Sequence, residues 1–136
     1  MNGVANGLYG GDLPNQINTP WIDFSEQSTI VGWSSYTTKQ IRYKVIGSTI
    51  YVYYNIDGTS NSTATTFTLP IIPKTISAAT YMYAMDNAVY QVGLLAQLSA
   101  TGIVVTASRY SSITGIISTW TASGRKHIQG QFFYEI

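Results

Sequence analysis

Six carboxylates, one imidazole and no thiol are what this chain offers for carboxylate, histidine or cysteine chemistry. The carboxylates are Asp12, Asp23, Glu26, Asp57, Asp86 and Glu135. Glycoside hydrolysis needs two opposed carboxyls. Asp23 and Glu26 are neighbours in sequence, but beside Trp21 and Phe24 they read as solvated turn residues. His127 stands next to Arg125 and Lys126 in what reads as the last strand. A catalytic base needs an oriented partner. No such partner is visible, so an ordinary strand or rim histidine is the simpler reading. With a single His and no Cys, a zinc site would rest on carboxylates, and none cluster at ligand spacing. Asp57-Gly58-Thr59-Ser60-Asn61 has a superficial likeness to a calcium loop, but it lacks the spaced carboxylates and the closing Glu and reads as a β-turn. There is no Gly-x-Ser-x-Gly and no phosphate loop. Asn61-Ser62-Thr63 fits a glycosylation sequon, which matters only in a secretory eukaryote. The chain thus reads as non-enzymatic, with no catalytic residue, metal site or cofactor expected.

The composition says what kind of scaffold carries these residues. The chain has 136 residues, enough for one domain with one core. There are 14 Ser, 17 Thr, 16 Ile, 8 Val, 11 Tyr and 12 Gly, which are strand and turn formers. Charged residues make up only 10%, against about 25% in an average domain. The net charge of +1 argues against a nucleic-acid partner, which calls for a basic patch. The 45% hydrophobic content argues against disorder. No run approaches ~18 apolar residues, so no membrane insertion is expected. Met1–Gly11 has neither a basic nor an apolar segment, so no signal peptide is expected. A surface this poor in charge suits an oligomer, or a face that meets sugar or protein.

Residues 1–20 are rich in Gly, Asn and Pro without periodicity and read as an extended arm or linker, followed by a single β domain over 21–136. Within that domain the clearest element is a hairpin. Gln40–Ile46 and Thr49–Ile56 both alternate, with Gly47-Ser48 between them suiting a type II′ turn. This register pairs Val45 with Ile50, Tyr43 with Val52 and Ile41 with Tyr54 on an apolar face. It sets Lys44 opposite Tyr51 and Arg42 opposite Tyr53 on a cationic-aromatic face. Asp57–Ser62 reads as a polar loop. Further strands are expected at Trp21–Phe24, Thr65–Leu69, Thr80–Met85, Val89–Leu98, Ile103–Ser108, Ile113–Thr119 and His127–Tyr134. In the last, Ile128, Gly130, Phe132 and Tyr134 share one face. So many short strands with regular turns predict an all-β fold, an antiparallel β-sandwich of jelly-roll type.

The aromatics exceed what one small core holds. Tyr43, Tyr54, Phe67, Phe132 and Tyr134 take inward positions. Trp21, Trp33, Trp120, Tyr36, Tyr51, Tyr53, Tyr81, Tyr83, Tyr90 and Tyr110 form a surplus expected to face an interface or a ligand. Flat rings with amide and hydroxyl neighbours are what sugar recognition uses.

Ile41-Arg42-Tyr43-Lys44-Val45-Ile46-Gly47, Ile50-Tyr51-Val52-Tyr53, Asp57-Gly58-Thr59-Ser60 and Phe67-Thr68-Leu69-Pro70 together resemble the carboxy-terminal β-domains of bacteriophage tail fibres and related virion appendages. The Trp120…Ser123-Gly124-Arg125 turn and the closing Gly130-Gln131-Phe132-Phe133-Tyr134 strand fit the same pattern, so the resemblance covers residues 33–136. It implies a homotrimeric jelly-roll knob on the virion surface, which attaches to a host-surface glycan or protein and contacts other virion proteins. The alternatives are a structural virion protein, such as a capsid decoration or head-fibre protein, and a carbohydrate-binding module. The resemblance carries over no residue-level binding motif. From the residues themselves the candidate ligand-binding set is Tyr51, Tyr53, Asp57, Ser60 and Asn61. The segment Asp57–Thr63 offers a carboxylate, an amide and hydroxyls, with Tyr51 and Tyr53 leading to it as a stacking platform. The competing reading buries this face between subunits, where Arg42 and Lys44 meet a neighbour's carboxylates.

Overall fold

The structure is a computed structural model that describes residues 17–74, 80–96, 104–110, 114 and 117–136. Residues 1–16 of the expected arm, the turn expected at 101–102 and the ends of the strands expected at 89–98, 103–108 and 113–119 lie outside the described residues. The described elements are all strands: β1 (Ile22–Asp23), β2 (Ile30–Val31), β3 (Trp33–Ile46), β4 (Thr49–Ser60), β5 (Thr66–Thr68), β6 (Thr80–Asp86), β7 (Val89–Ala96), β8 (Val104–Tyr110), β9 (Ile117–Ser118) and β10 (Arg125–Glu135). They pair antiparallel in the order β1-β3-β4-β10-β6-β7-β8-β5-β2, with β9 on β8. The antiparallel all-β class is as expected. The pairings, however, run through one continuous sheet where a division into two was expected.

That sheet curls into a half-barrel around its own core. Tyr54 of β4 and Phe67 of β5 are five strands apart along the sheet, yet their ring centroids are 5.2 Å apart. Both rings are buried, with Ile41, Ile50, Val52, Ile56, Leu69, Val105 and Ile128 around them. The chain itself ties the two ends of the strand order together. β2 pairs with β5 and β3 with β4, and only Gly32 separates β2 from β3. Gly32 has φ +124°, and a Cβ there would crowd the Ala64 carbonyl and the Lys126 ammonium. A side chain at this bend would therefore be both strained and in collision.

The 40–56 hairpin has the expected register, residue for residue. Ile41, Val45, Ile50, Val52 and Tyr54 are buried, and Tyr43 is half-buried. Gly47 turns at φ +60° with no positive φ at Ser48, as a type II′ turn requires. Ile17, Asn18 and Thr19, at the end of the expected arm, lie along β3: Thr19 N–H donates to Val45 O at 2.9 Å, and Gly47 N–H to Ile17 O at 2.8 Å. Two sequence expectations fail. The polar loop at Asp57–Ser62 is largely strand, because β4 runs on to Ser60 while β10 lays Arg125, Lys126 and His127 beside Thr59, Gly58 and Asp57. Gly58 permits this continuation, since a Cβ there would collide with the Ser35 carbonyl where β3 bulges. Trp33 and Trp120 are not surplus. Both are buried, and their indole N–H groups donate to Lys126 O at 3.0 Å and Ala107 O at 2.9 Å.

The β6–β7 turn generates a first prediction. Asn87 (φ 48°) and Ala88 (φ 62°) both sit in the left-handed region, as in a type I′ turn. Asn tolerates it, but Ala at positive φ costs about 1–2 kcal/mol. Ala88→Gly should therefore stabilise the fold by about 0.5–1 kcal/mol after glycine's own entropic cost, read as a higher urea midpoint with an unchanged m-value.

Candidate functional site

Because side chains alternate along a strand, the outer face of β3, β4 and β10 is built in cross-strand rows. The first row sets Lys44 opposite Tyr51 and Tyr51 opposite Phe133. β1 extends it, since Ile22 pairs with Tyr43 and places Trp21 next to Lys44. The second row is Asp23, Arg42, Tyr53 and Gln131. Further along the strands come Gln40, Asn55, Gln129 and Tyr83, then Thr38, Asp57, His127 and Met85.

The first row, with Ile46, Thr80 and Gln131 of the second row, lines an aromatic pocket of about 700 Å³ that also touches Val52 and Phe132. Its side chains include Trp21, Lys44, Tyr51, Thr80, Gln131 and Phe133. Tyr51 and Phe133 meet at 5.9 Å with planes tilted by 42°. Trp21, Tyr51 and Phe133 are 42%, 39% and 64% exposed, so large flat surfaces stay open to solvent. The Arg42 guanidinium lies between Trp21, at 5.0 Å, and Tyr53, at 4.7 Å, while the Lys44 ammonium stands 6.0 Å from the Trp21 ring. The pocket opens where β6 parts from β10, whose pairing ends at Gln129 with Tyr83.

The second group lies farther along the same face. Asp57 and Tyr51 are six positions apart on β4, roughly 20 Å at strand spacing. Asp57 is buried and accepts two bonds from Arg125, at 3.0 Å from Nε and 2.7 Å from Nη2. The Arg125 hydrogen bonds hold the Asp57 carboxyl below the usual carboxylate range, against the opposing effect of burial. His127 Nε2 lies 2.8 Å from Asn55 Oδ1, Nδ1 lies 4.0 Å from Asp57 Oδ2, and Tyr83 packs edge-on at 4.9 Å. Burial lowers the His127 pKa and Asp57 pulls it back. His127 is thus a half-buried strand residue wedged between an ion pair and a tyrosine.

Of the five residues expected to bind ligand, the structure brings two together. Tyr51 lines the pocket, and Tyr53 backs it through Arg42, with its hydroxyl accepting from Gln129 at 3.1 Å. Asp57 is spent on Arg125, since its position is central sheet, where an exposed loop was expected. Ser60 is buried and donates to Thr121 O at 2.6 Å, because continued pairing turns it inward. Asn61 is exposed, beyond the end of β4 and away from the pocket. Trp21, Lys44, Gln131 and Phe133 were missed as site residues. The hairpin register and the alternation of β10 already set Lys44 and Phe133 outward, but only the pairing of β1 and β10 with the hairpin joins the row.

Lys126 carries the most perturbed cationic group. It is fully buried, and its ammonium donates to Gly32 O at 3.1 Å, Ser62 O at 3.0 Å, Ala64 O at 3.3 Å and Thr65 Oγ1 at 2.9 Å. The Trp33 and Trp120 rings flank it at 5.1 and 5.5 Å. Burial lowers its pKa to about 8, with Asp86 opposing. A lowered lysine pKa can mark a nucleophile, but this one is sealed from solvent with its donors engaged. Among the described residues, no group of three or more His, Cys, Asp or Glu could hold a metal ion. Compared with known protein families, curated proteins and solved structures, the chain matches none.

Lys126 makes stability depend on alkaline pH. Between about 8 and about 10.5 the unfolded chain holds a proton that the folded chain has released, so stability rises with pH across that window. Burial raises the Tyr54 and Tyr134 phenols above their ordinary 10, so above pH 10 the unfolded state loses protons first and stability falls. Urea unfolding should therefore show a maximum near pH 10. Lys126→Met should abolish the rise from pH 8 and lower stability at pH 7 by about 1–3 kcal/mol, because the carbonyls it served are left unpaired.

Proposed function

We propose that this chain is the attachment domain of a bacteriophage fibre or related virion appendage, and that it binds a host-surface saccharide in the pocket of Trp21, Tyr51 and Phe133. The observation that carries this reading is the pocket itself: three open rings around a hollow of about 700 Å³. Amide and hydroxyl groups at Gln131 and Thr80 line the same hollow, in the mixture that sugar sites use. The resemblance over residues 33–136 supports the virion setting. The antiparallel all-β fold is compatible with that setting.

A separate patch supports the expectation of a homotrimer. Tyr81 and Tyr90 are each 72% exposed, and Tyr83 and Val92, paired across β6 and β7, are exposed on the same face. With only 10% charged residues overall, such a surface is suited to meeting a sister subunit or another virion protein.

Glycan-array binding by the whole chain tests the reading, with mass by light scattering in parallel. Phe133→Ala and Tyr51→Ala should each weaken binding about tenfold, the worth of one lost ring contact, without changing the oligomer. Tyr81→Ala with Tyr90→Ala should loosen the oligomer instead. An oligomer that falls apart in Phe133→Ala would assign the aromatic row to assembly, leaving the chain a structural virion protein.

A further inference from the structure

The distribution of charge narrows the ligand, on the assumption that the pocket binds a saccharide as proposed above. The chain has seven Lys and Arg residues. Four face carboxylates: Lys39 on Glu26 at 3.2 Å, Lys74 on Glu135 at 3.0 Å, Arg109 on Asp86 at 3.2 Å and Arg125 on Asp57 at 2.7 Å. Lys126 is enclosed by its four oxygens. The remaining two, Arg42 and Lys44, have no carboxylate within 4.0 Å among the described residues. Asp23 stands opposite Arg42 in register, but its Oδ1 accepts from Ser25 N–H at 2.9 Å and Ser25 Oγ–H at 2.6 Å.

The two unmatched cations are neighbours on one face of β3, and both lie over Trp21. Arg42 is held between two rings with its buried Nε unpartnered, so it lends positive potential more than reach. Lys44 lines the pocket and, among the described residues, is the only charged side chain that does so. Asp23 keeps its charge near Arg42, but a neutral sugar would leave the Lys44 ammonium in the pocket without a carboxylate partner among the described residues.

We infer that the pocket takes an acidic saccharide, a sugar ring that bears a carboxylate. The ring stacks on Trp21, Tyr51 and Phe133, the carboxylate pairs with the Lys44 ammonium, and Gln131 and Thr80 are left for the hydroxyls. A charge-assisted bond is the stronger kind, and two neighbouring cations without a carboxylate within 4.0 Å among the described residues would draw an anionic polymer in at low salt.

The test is an array of uronic- and sialic-acid oligosaccharides alongside the same set with each carboxyl reduced to the alcohol, at low and high salt. The acidic members should bind preferentially, with affinity falling as salt rises. Lys44→Gln should cost them tenfold or more and bring them level with the reduced set, and Lys44→Arg should restore the preference. If the bound sugars are neutral and Lys44→Gln leaves them unchanged, this inference is wrong while saccharide binding stands. If no sugar binds, saccharide attachment itself fails and takes the inference with it. If Lys44→Gln instead alters the oligomer mass, the cations belong to a neighbour's carboxylates and the inference is overturned.

Discussion

The Lys126 ammonium joins parts of the chain that pairing alone leaves separate. Its backbone belongs to β10, in the middle of the sheet, and its four acceptors lie at the Gly32 bend and in the connection between β4 and β5. The curled sheet has few backbone bonds where its short strands β2 and β5 meet, since they exchange only two residue pairs. A buried amine that meets four oxygens at once bridges that seam through its hydrogen bonds, despite the cost of burying its charge, and two indoles exclude the water that would compete for them. Burying a lone charge is costly, so the arrangement holds only because every donor is engaged. The same indoles anchor their own N–H groups to Lys126 O and Ala107 O, so cation, rings and backbone form one unit.

With the curl held from inside, the outside can be a regular lattice of rows. Regularity is what turns scattered residues into a site. Trp21, Lys44, Tyr51 and Phe133 come from four segments spread over most of the chain, and cross-strand pairing sets them side by side. The pocket then forms where the lattice opens, at the parting of β6 from β10. A rigid sheet offers rings with little conformational freedom left to lose, which favours weak, flat ligands such as sugars.

Charge on this protein is spent sparingly. Most cations are neutralised within the fold, either on the surface, as at Lys39 and Lys74, or in partly buried pairs, as at Arg125 with Asp57. Exposed pairs of the first kind contribute little to stability. Arg42 and Lys44 have no carboxylate within 4.0 Å among the described residues and stand beside the aromatic pocket.

Local pattern was enough for the all-β class, the 40–56 register, the inward set of the last strand and the outward placing of Tyr51 and Tyr53. Alternation has a period of two, and a two-residue turn with Gly47 admits one pairing, so each of these follows from neighbours in sequence. Tertiary pairing decided the rest. Asp57-Gly58-Thr59-Ser60 has the chemistry of a turn, yet β10 and the bulge of β3 on either side make it central strand, and this consumes Asp57 and Ser60. Trp33 and Trp120 looked like spare rings because nothing near them in sequence shows that Lys126 will lie between them. The pocket depends on partners more than a hundred residues apart, Trp21 and Phe133, which no local pattern can place together. Sequence by itself determined which way the side chains of the 40–56 hairpin and of the last strand point. Only the tertiary structure decided which strands stand side by side, because that choice is made by contacts between segments distant in the chain.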